Sequence, residues 1–215
     1  EDIKAVGVEL EGGWDRRPPD EMHRDGSVTV DAPIVGEISS PPIPDFSAVE
    51  EWMRANYPHR VNSSCGLHVH VSTNELNYGR LMEPEFAQFF EGRMAEFLSQ
   101  GLADNRPGFD LLRQRFQGLN RYCQKKFIPE QQLFMTDRYG DVNTHPRYAQ
   151  LNFCYIRHGT IECRLFPCFP NVDDGVAAVK AFYDTVFDYL GQFKSTKDEP
   201  STLVIPLSEL PSPSQ

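Results

Sequence analysis

The stretch CGLHVHVS, residues 65–72, alternates strictly between apolar and polar side chains after its glycine. Successive residues of a β-strand point to opposite faces, so Leu67, Val69 and Val71 share one face while His68, His70 and Ser72 share the other. The same period of two recurs in IKAVGVELE, where Val6, Val8 and Leu10 oppose Glu9 and Glu11. It recurs again in IVGEISS, where Ile34 and Ile38 oppose Val35, Glu37 and Ser39. The opening strands follow one another too closely for the helical crossovers that parallel neighbours require. A chain patterned this way is expected to build a largely antiparallel sheet with one apolar and one polar face.

The rest of the chain supplies helices to cover that apolar face. HRDGSVTVDAPIVGEISSP reads as two short strands around a Pro-containing connection, with a turn signal at Asp25–Gly26. PDFSAVEEWMRANYP places Asp45 as an N-cap, with Phe46, Val49, Trp52 and Met53 at helical spacing. A long amphipathic pattern runs from Glu83 to Ala103 through Phe86, Phe89, Phe90, Met94, Phe97 and Leu98. A further helix is expected over Pro107–Gln124, then a long loop over 125–146. RYAQLNFCYI and TIECRLFP face each other across Arg157-His158-Gly159 as a β-hairpin, and a last helix covers Asp173–Phe193. The expected class is α+β, a single domain over residues 1–194, followed by a Pro/Ser-rich tail or arm at 195–215.

Bulk properties narrow the function. The chain carries 31 acidic residues against 21 Lys and Arg, a net charge of −10. That charge disfavours nucleic acid or an anionic membrane as partner. No apolar run approaches the ~20 residues of a membrane span, and no signal-peptide pattern is visible. The five cysteines include no CxxC pair. They read as reduced, mostly buried thiols of a cytosolic protein.

The polar face of the sheet is unusual. A wet face normally mixes Lys, Thr, Ser and Glu, and each strand taken alone would fit that bland reading. Here four strands contribute Glu9, Glu11, Glu37, His68, His70, Glu162 and Arg164, without one lysine. Like charges side by side, as at Glu9 and Glu11, are destabilising unless something positive lies between them. A divalent cation is the simplest such thing. Several carboxylates with one or two imidazoles suit Mg2+ or Mn2+, and a zinc site would use more His or Cys. Arg164, on the same face as Glu162, is placed to hold a phosphate or carboxylate oxygen. Metals and arginines around a nucleotide are the parts of a phosphoryl-transfer site.

In chain order, GVELEG, HRDGSV, GEISSPP, CGLHVHVS, NRYC and the RYAQLNF…GTIECRLFP hairpin resemble the amidoligase family. That family belongs to the carboxylate–amine ligase superfamily, with glutamine synthetase and γ-glutamylcysteine ligase. The resemblance runs from about Val6 to Pro167. It implies a curved antiparallel catalytic sheet like that of glutamine synthetase, with helices on one face. It also implies ATP and two or more Mg2+ or Mn2+ ions, and amide formation between a small-molecule or peptide carboxylate and an amine. By the resemblance, Glu9 binds one metal and Glu37 joins it, while Glu11 binds a second that Glu162 shares. His68 or His70 lies beside the metal, with the other imidazole supporting the ligand shell or the substrate. Arg164 faces the transferred phosphoryl group. Asp25 matches as a metal ligand or as a turn residue, and Asp31 competes with Glu37. The rival functions are a metal-dependent hydrolase on the same sheet and an inactive nucleotide-binding or interaction module.

Other residues keep two readings each. Arg121 in NRYCQKKF suits a nucleotide phosphate or substrate carboxylate, or is a favourable cation at a helix C-terminus. Asn152, on the wet face of its strand, contacts nucleotide or substrate, or simply water. His145, Arg147 and Tyr148 line an acceptor pocket or pack a loop. His158 is expected in a turn, and His23 and His59 at the surface. Trp14 closes over adenine or packs at the rim. Cys65 lacks a base on its own strand face and is a poor nucleophile.

Overall fold

A computed structural model describes residues 2–133 and 140–193; the expected tail at 195–215 lies outside them. The strands are β1 (Ile3–Trp14), β2 (Met22–His23), β3 (Ile34–Ser39), β4 (Gly66–Thr73), β5 (Leu151–Cys154) and β6 (Thr160–Pro167). The helices are α1 (Phe46–Asn56), α2 (Glu75–Leu81), α3 (Pro84–Ala103), α4 (Phe109–Phe116), α5 (Pro129–Leu133), α6 (Tyr155–His158) and α7 (Val172–Gly191). All six strands form one sheet in the order β2-β3-β1-β4-β6-β5. Every neighbouring pair is antiparallel. The protein is therefore α+β with an antiparallel sheet and packed helices. No helix of the described residues is long and apolar enough to cross a membrane.

The alternation read from the sequence decides which face is covered. Val8, Leu10, Leu67, Val69, Val71, Ile161 and Cys163 are buried. They lie in one core with Val49 and Met53 of α1 and with Val179, Phe182 and Val186 of α7. Each such side chain contributes about 1.5–3 kcal/mol on burial, so this face supplies most of what holds the sheet. Phe86, Phe90, Met94 and Leu98 form the buried stripe of α3, which packs chiefly on α7. Asp45 caps α1 by accepting from the Ser47 amide at 3.0 Å, and Asn171 caps α7 through the Asp173 amide at 3.0 Å.

Several expectations need correction. The helix expected over Pro107–Gln124 is only Phe109–Phe116. Gly118 then takes φ +77, a left-handed conformation that ends the helix without steric cost. The expected loop at 125–146 contains α5, whose Gln132 Oε1 accepts from the Phe153 amide at 2.8 Å. Helix α2, capped by Asn74, was not anticipated. Residues 24–33 form no strand, so HRDGSVTV contributes only the end of β2. The β5–β6 connection is a helical turn over Tyr155–His158, closed by Gly159 at φ +65.

Strict alternation in TIECRLF would put Phe166 on the polar face with Glu162 and Arg164, but the structure turns it to the other face. Leu67 pairs with Phe166 and Val69 with Cys163, so β6 carries one extra residue opposite His68. Such a bulge flips the alternation beyond it. Phe166 therefore turns into the core, 6.0 Å from the Phe97 ring, while Arg164 stays on the polar face.

Candidate metal and phosphate centre

Strand register alone assembles the polar row. Glu11 lies opposite Glu37 across β1 and β3, and Glu9 opposite His68 across β1 and β4. His70 and Asn152 both lie opposite Glu162, from β4 and β5. Directly opposed side chains have Cβ atoms ~4.5–5.5 Å apart, close enough to share an ion. The row forms the floor of a cavity of about 1270 Å³, ample for a nucleotide with a second substrate.

Two donor sets result. Glu9, His68 and Glu162 present one atom each within 4.8 Å of one another, and Glu11, Asp25 and Glu37 do the same. This reverses the grouping implied by the resemblance, which paired Glu37 with Glu9 and Glu162 with Glu11. The register is the reason: Glu37 faces Glu11, and Glu162 faces the β4 histidines that also reach Glu9. Asp25 holds its place by accepting from the Ser27 amide and hydroxyl, both at 2.7 Å. It is thus a turn residue and a member of the second set at once.

The first set carries its own positive charge. Glu162 is buried, with Arg164 Nη1 at 2.6 Å from Oε1 and Asn152 Nδ2 at 2.7 Å from Oε2. Burial alone would raise its carboxyl; Arg164, His70 and His68 outweigh that and bring it down to about 2. Glu9 Oε2 lies 3.1 Å from His68 Nδ1, and Glu9 Oε1 3.3 Å from His70 Nε2. Against burial, these two imidazoles hold Glu9 well below the usual carboxylate range. His70 rises in turn: burial opposes its charge, but the Glu9 hydrogen bond and Glu162 win. Its Nδ1 lies 3.0 Å from Thr160 Oγ1.

The second set has far less compensation. Burial, the Glu9 charge and then Glu11 and Asp25 push Glu37 up to about 7, with only His68 opposing them. Glu11 Oε2 accepts the Gly66 amide at 2.6 Å. A Cβ at Gly66 would come 2.8 Å from His68 Nε2 and 2.9 Å from Glu11 Oε2, so the site needs glycine there.

Within this site, one buried acceptor has no hydrogen-bond partner among the described residues. A carboxylate only accepts, so the Asn152 amide must turn Nδ2 toward Glu162. Its Oδ1 is then left buried and unbonded, which such groups rarely are unless a ligand, ion or water meets them. Hard oxygen donors with a single imidazole, and an orphan acceptor beside them, fit Mg2+ or Mn2+ and a polar substrate.

Arg164 also donates from Nε to the Tyr122 carbonyl at 3.4 Å, leaving further N–H groups toward the cavity. Arg121 is exposed on the rim, its Nη2 2.9 Å from the Tyr122 hydroxyl. It lies beyond the end of α4, so it is not a helix-terminal cation. Trp14 is buried and donates to the Asn56 carbonyl at 2.9 Å, far from any base-stacking role. Cys65 is buried, and burial raises its thiol. His145 is buried and caps the 3₁₀ turn at Pro146–Tyr148. Arg147, Tyr148 and His158 do line the cavity.

Sequence reasoning missed three contributors, His23, Thr160 and Arg115, and placed Ser39 on the polar face without its partner. His23 lies opposite Glu37 in register and lines the cavity. Thr160 shares the face of Glu162 and could have been found by extending the alternation two residues. Arg115 reaches the cavity from α4 and donates to the Phe166 and Cys65 carbonyls at 3.2 and 3.3 Å; an amphipathic helix gives no sign of this. Ser39 Oγ donates to Glu37 Oε1 at 3.3 Å.

The fold and site together define an antiparallel α+β protein with an acid- and histidine-lined candidate metal centre on its open sheet face. No family model, curated protein or solved structure matches the chain.

Proposed function

We propose that this protein is an ATP- and Mg2+-dependent carboxylate–amine ligase that forms an amide or isopeptide bond. The observation that supports the reading most is the pair of donor sets, Glu9/His68/Glu162 and Glu11/Asp25/Glu37, on one sheet face beside buried Arg164. The resemblance of the strand motifs to the amidoligases supplies the reaction class.

In this reading a carboxylate oxygen of the acid substrate attacks the γ-phosphorus of ATP. The bond to the β–γ bridging oxygen breaks and ADP leaves. The amine nitrogen then attacks the acyl carbon, the carbon–oxygen bond to phosphate breaks, and the nitrogen loses a proton to water. Bound Mg2+ would neutralise charge on the phosphoryl oxygens. Arg164, fixed by Glu162, stabilises the charge of the moving phosphoryl group without rearranging. Arg121 on the rim takes a phosphate or carboxylate oxygen. Asn152 Oδ1 accepts an N–H or O–H of substrate or nucleotide. His70, held by Thr160 and Glu9, keeps the Glu9 carboxylate aimed at the cavity.

The test is calorimetric titration of Mg2+–ATP into the wild type beside Glu9→Ala, with circular dichroism to check folding. Expected is binding that requires Mg2+ and fails in the variant. Folded wild type that binds no nucleotide, or a variant that binds equally, refutes the reading. If nucleotide binds, ADP release that needs an added amine supports the ligase, and amine-independent release makes it a hydrolase.

A further inference from the structure

A second cavity, of about 770 Å³, opens where the end of β1 meets the last turn of α1 and the start of α7. Its basic lining is Arg16, Arg17, Arg54 and His59, and no Asp or Glu lines it. In a chain with 31 acidic residues to 21 Lys and Arg, a purely basic cavity stands out.

Only part of this charge is spent internally. Arg54 is committed to Glu50 and Asp173, each at 2.8 Å. Arg16 and Arg17 are exposed and enter no ion pair among the described residues. His59 Nδ1 accepts the Asp15 amide at 3.0 Å, so the neutral ring carries its proton on Nε2 and can donate. The acids that flank them in the chain are taken elsewhere, Asp15 by Arg60 at 2.8 Å and Asp20 by Trp52 Nε1, so an anion is the partner that would offset the charge of Arg16 and Arg17.

The loop that carries them is pinned. Before it, Trp14 Nε1 donates to the Asn56 carbonyl at 2.9 Å; after it, the Asp20 amide donates to Asn56 Oδ1 at 3.1 Å. Trp52 Nε1 adds a bond to Asp20 Oδ2 at 2.6 Å. The opposite wall is latched to β1, where the His59 and Arg60 amides donate to the Gly13 carbonyl at 2.9 and 3.0 Å. Pro18 is buried between the anchors, and its ring fixes φ. A solvated arginine pair needs none of this, whereas a binding site gains affinity from walls already in place.

We infer that this cavity binds a small anion bearing two or more phosphate charges, independently of the acidic centre. Its volume suits a small molecule and is too confined for a folded partner. Planar guanidinium forks match phosphate oxygens. Free diphosphate and the phosphate tail of a nucleotide share that chemistry.

The experiment is calorimetric titration of sodium pyrophosphate into the full chain at fixed ionic strength. EDTA is present so that the acidic centre cannot recruit phosphate through a divalent ion. Saturable binding is expected, weakened on the order of tenfold or more by Arg16→Gln with Arg17→Gln. Arg113→Gln, an exposed arginine elsewhere paired with Asp110, leaves it unchanged. ADP without metal, competing with pyrophosphate, would make the nucleotide tail the source; no competition would leave the free diphosphate. Both arginines are exposed, so the double variant is expected to fold, and circular dichroism checks it. No saturable binding, equal binding to the double variant, or tighter binding of citrate than of pyrophosphate overturns the inference.

Discussion

Glu37 should destabilise the metal-free protein above neutral pH, and Glu37→Gln should remove that cost. Its carboxyl is pushed from an ordinary 4.5 to about 7 by burial and by Glu9, Glu11 and Asp25. The folded value is raised, so the native state holds its proton more tightly than the unfolded chain does. The native state is therefore favoured most below pH 4.5, and stability falls as pH rises through the window from 4.5 to about 7. At about 1.36 kcal/mol per pH unit, the full loss is about 3 kcal/mol. Glu37 is partly exposed, and solvent screening trims this to roughly 1–3 kcal/mol. In urea titrations with EDTA, Glu37→Gln should match wild type near pH 4.5 and exceed it by that amount at pH 8. Added Mg2+ should reverse the order at pH 8, because a ligand that binds only the native state stabilises it by mass action. A variant less stable than wild type at pH 8 in EDTA, or equally affected at both pH values, would refute the electrostatic reasoning.

Three further substitutions test the electrostatics and the packing. Arg164→Met leaves Glu162 buried without its cation and should cost about 3–5 kcal/mol at pH 7. Glu162 sits near 2 in the native state, so its contribution is present above 4.5 and lost as pH falls toward 2. The penalty measured by urea unfolding should therefore shrink over that interval, and a pH-independent penalty would mean lost packing instead. Within α3, a Cβ at Gly101 would clash with the Phe109 ring, while one at Gly92 meets nothing within 4 Å. Gly101→Ala should lower stability by about 1–3 kcal/mol, and Gly92→Ala should raise it by about 0.4–1 kcal/mol; thermal melts that move both the same way would contradict the packing.

The site was legible where the strand period held. Glu9, Glu11, Glu37, His68, His70, Asn152, Glu162 and Arg164 all fall on the polar face because alternation assigns faces without knowing partners. Register was not legible, since it depends on pairing geometry, so the grouping of carboxylates came out reversed. Phe166 was misassigned for a related reason: a bulge inserts a residue that no local pattern announces. Arg115 and His23 escaped because one arrives from a helix and the other from a two-residue strand. Helix α4 was drawn too long because Gly118, its terminator, lay inside a stretch that remained polar and periodic. Trp14 looked like a rim residue, yet its indole N–H is satisfied by Asn56 on a helix 42 residues away, a contact only the fold creates.

The two donor sets differ in readiness, and the difference follows from where the basic groups lie. Arg164 and both imidazoles hydrogen-bond or pair with Glu9 and Glu162, and they hold both carboxyls below the usual carboxylate range. Arg164 hydrogen-bonds Glu162 and meets Glu11 only through space, no salt bridge among the described residues reaches Asp25 or Glu37, and Glu37 keeps its proton up to about 7. A cation entering the second set must displace that proton, whereas one entering the first must compete with Arg164 and the histidines for the same oxygens. Affinity at the second set should therefore rise with pH through neutrality, while at the first it is governed by how far His70 yields its hold on Glu9. The asymmetry is carried by the sheet itself: β4 and β6 bring the histidines and Arg164 to one end of the row, and β3 brings only acid to the other. The apolar face beneath, with Val8, Leu10 and Val69 fully buried, offsets the cost of holding so many carboxylates together.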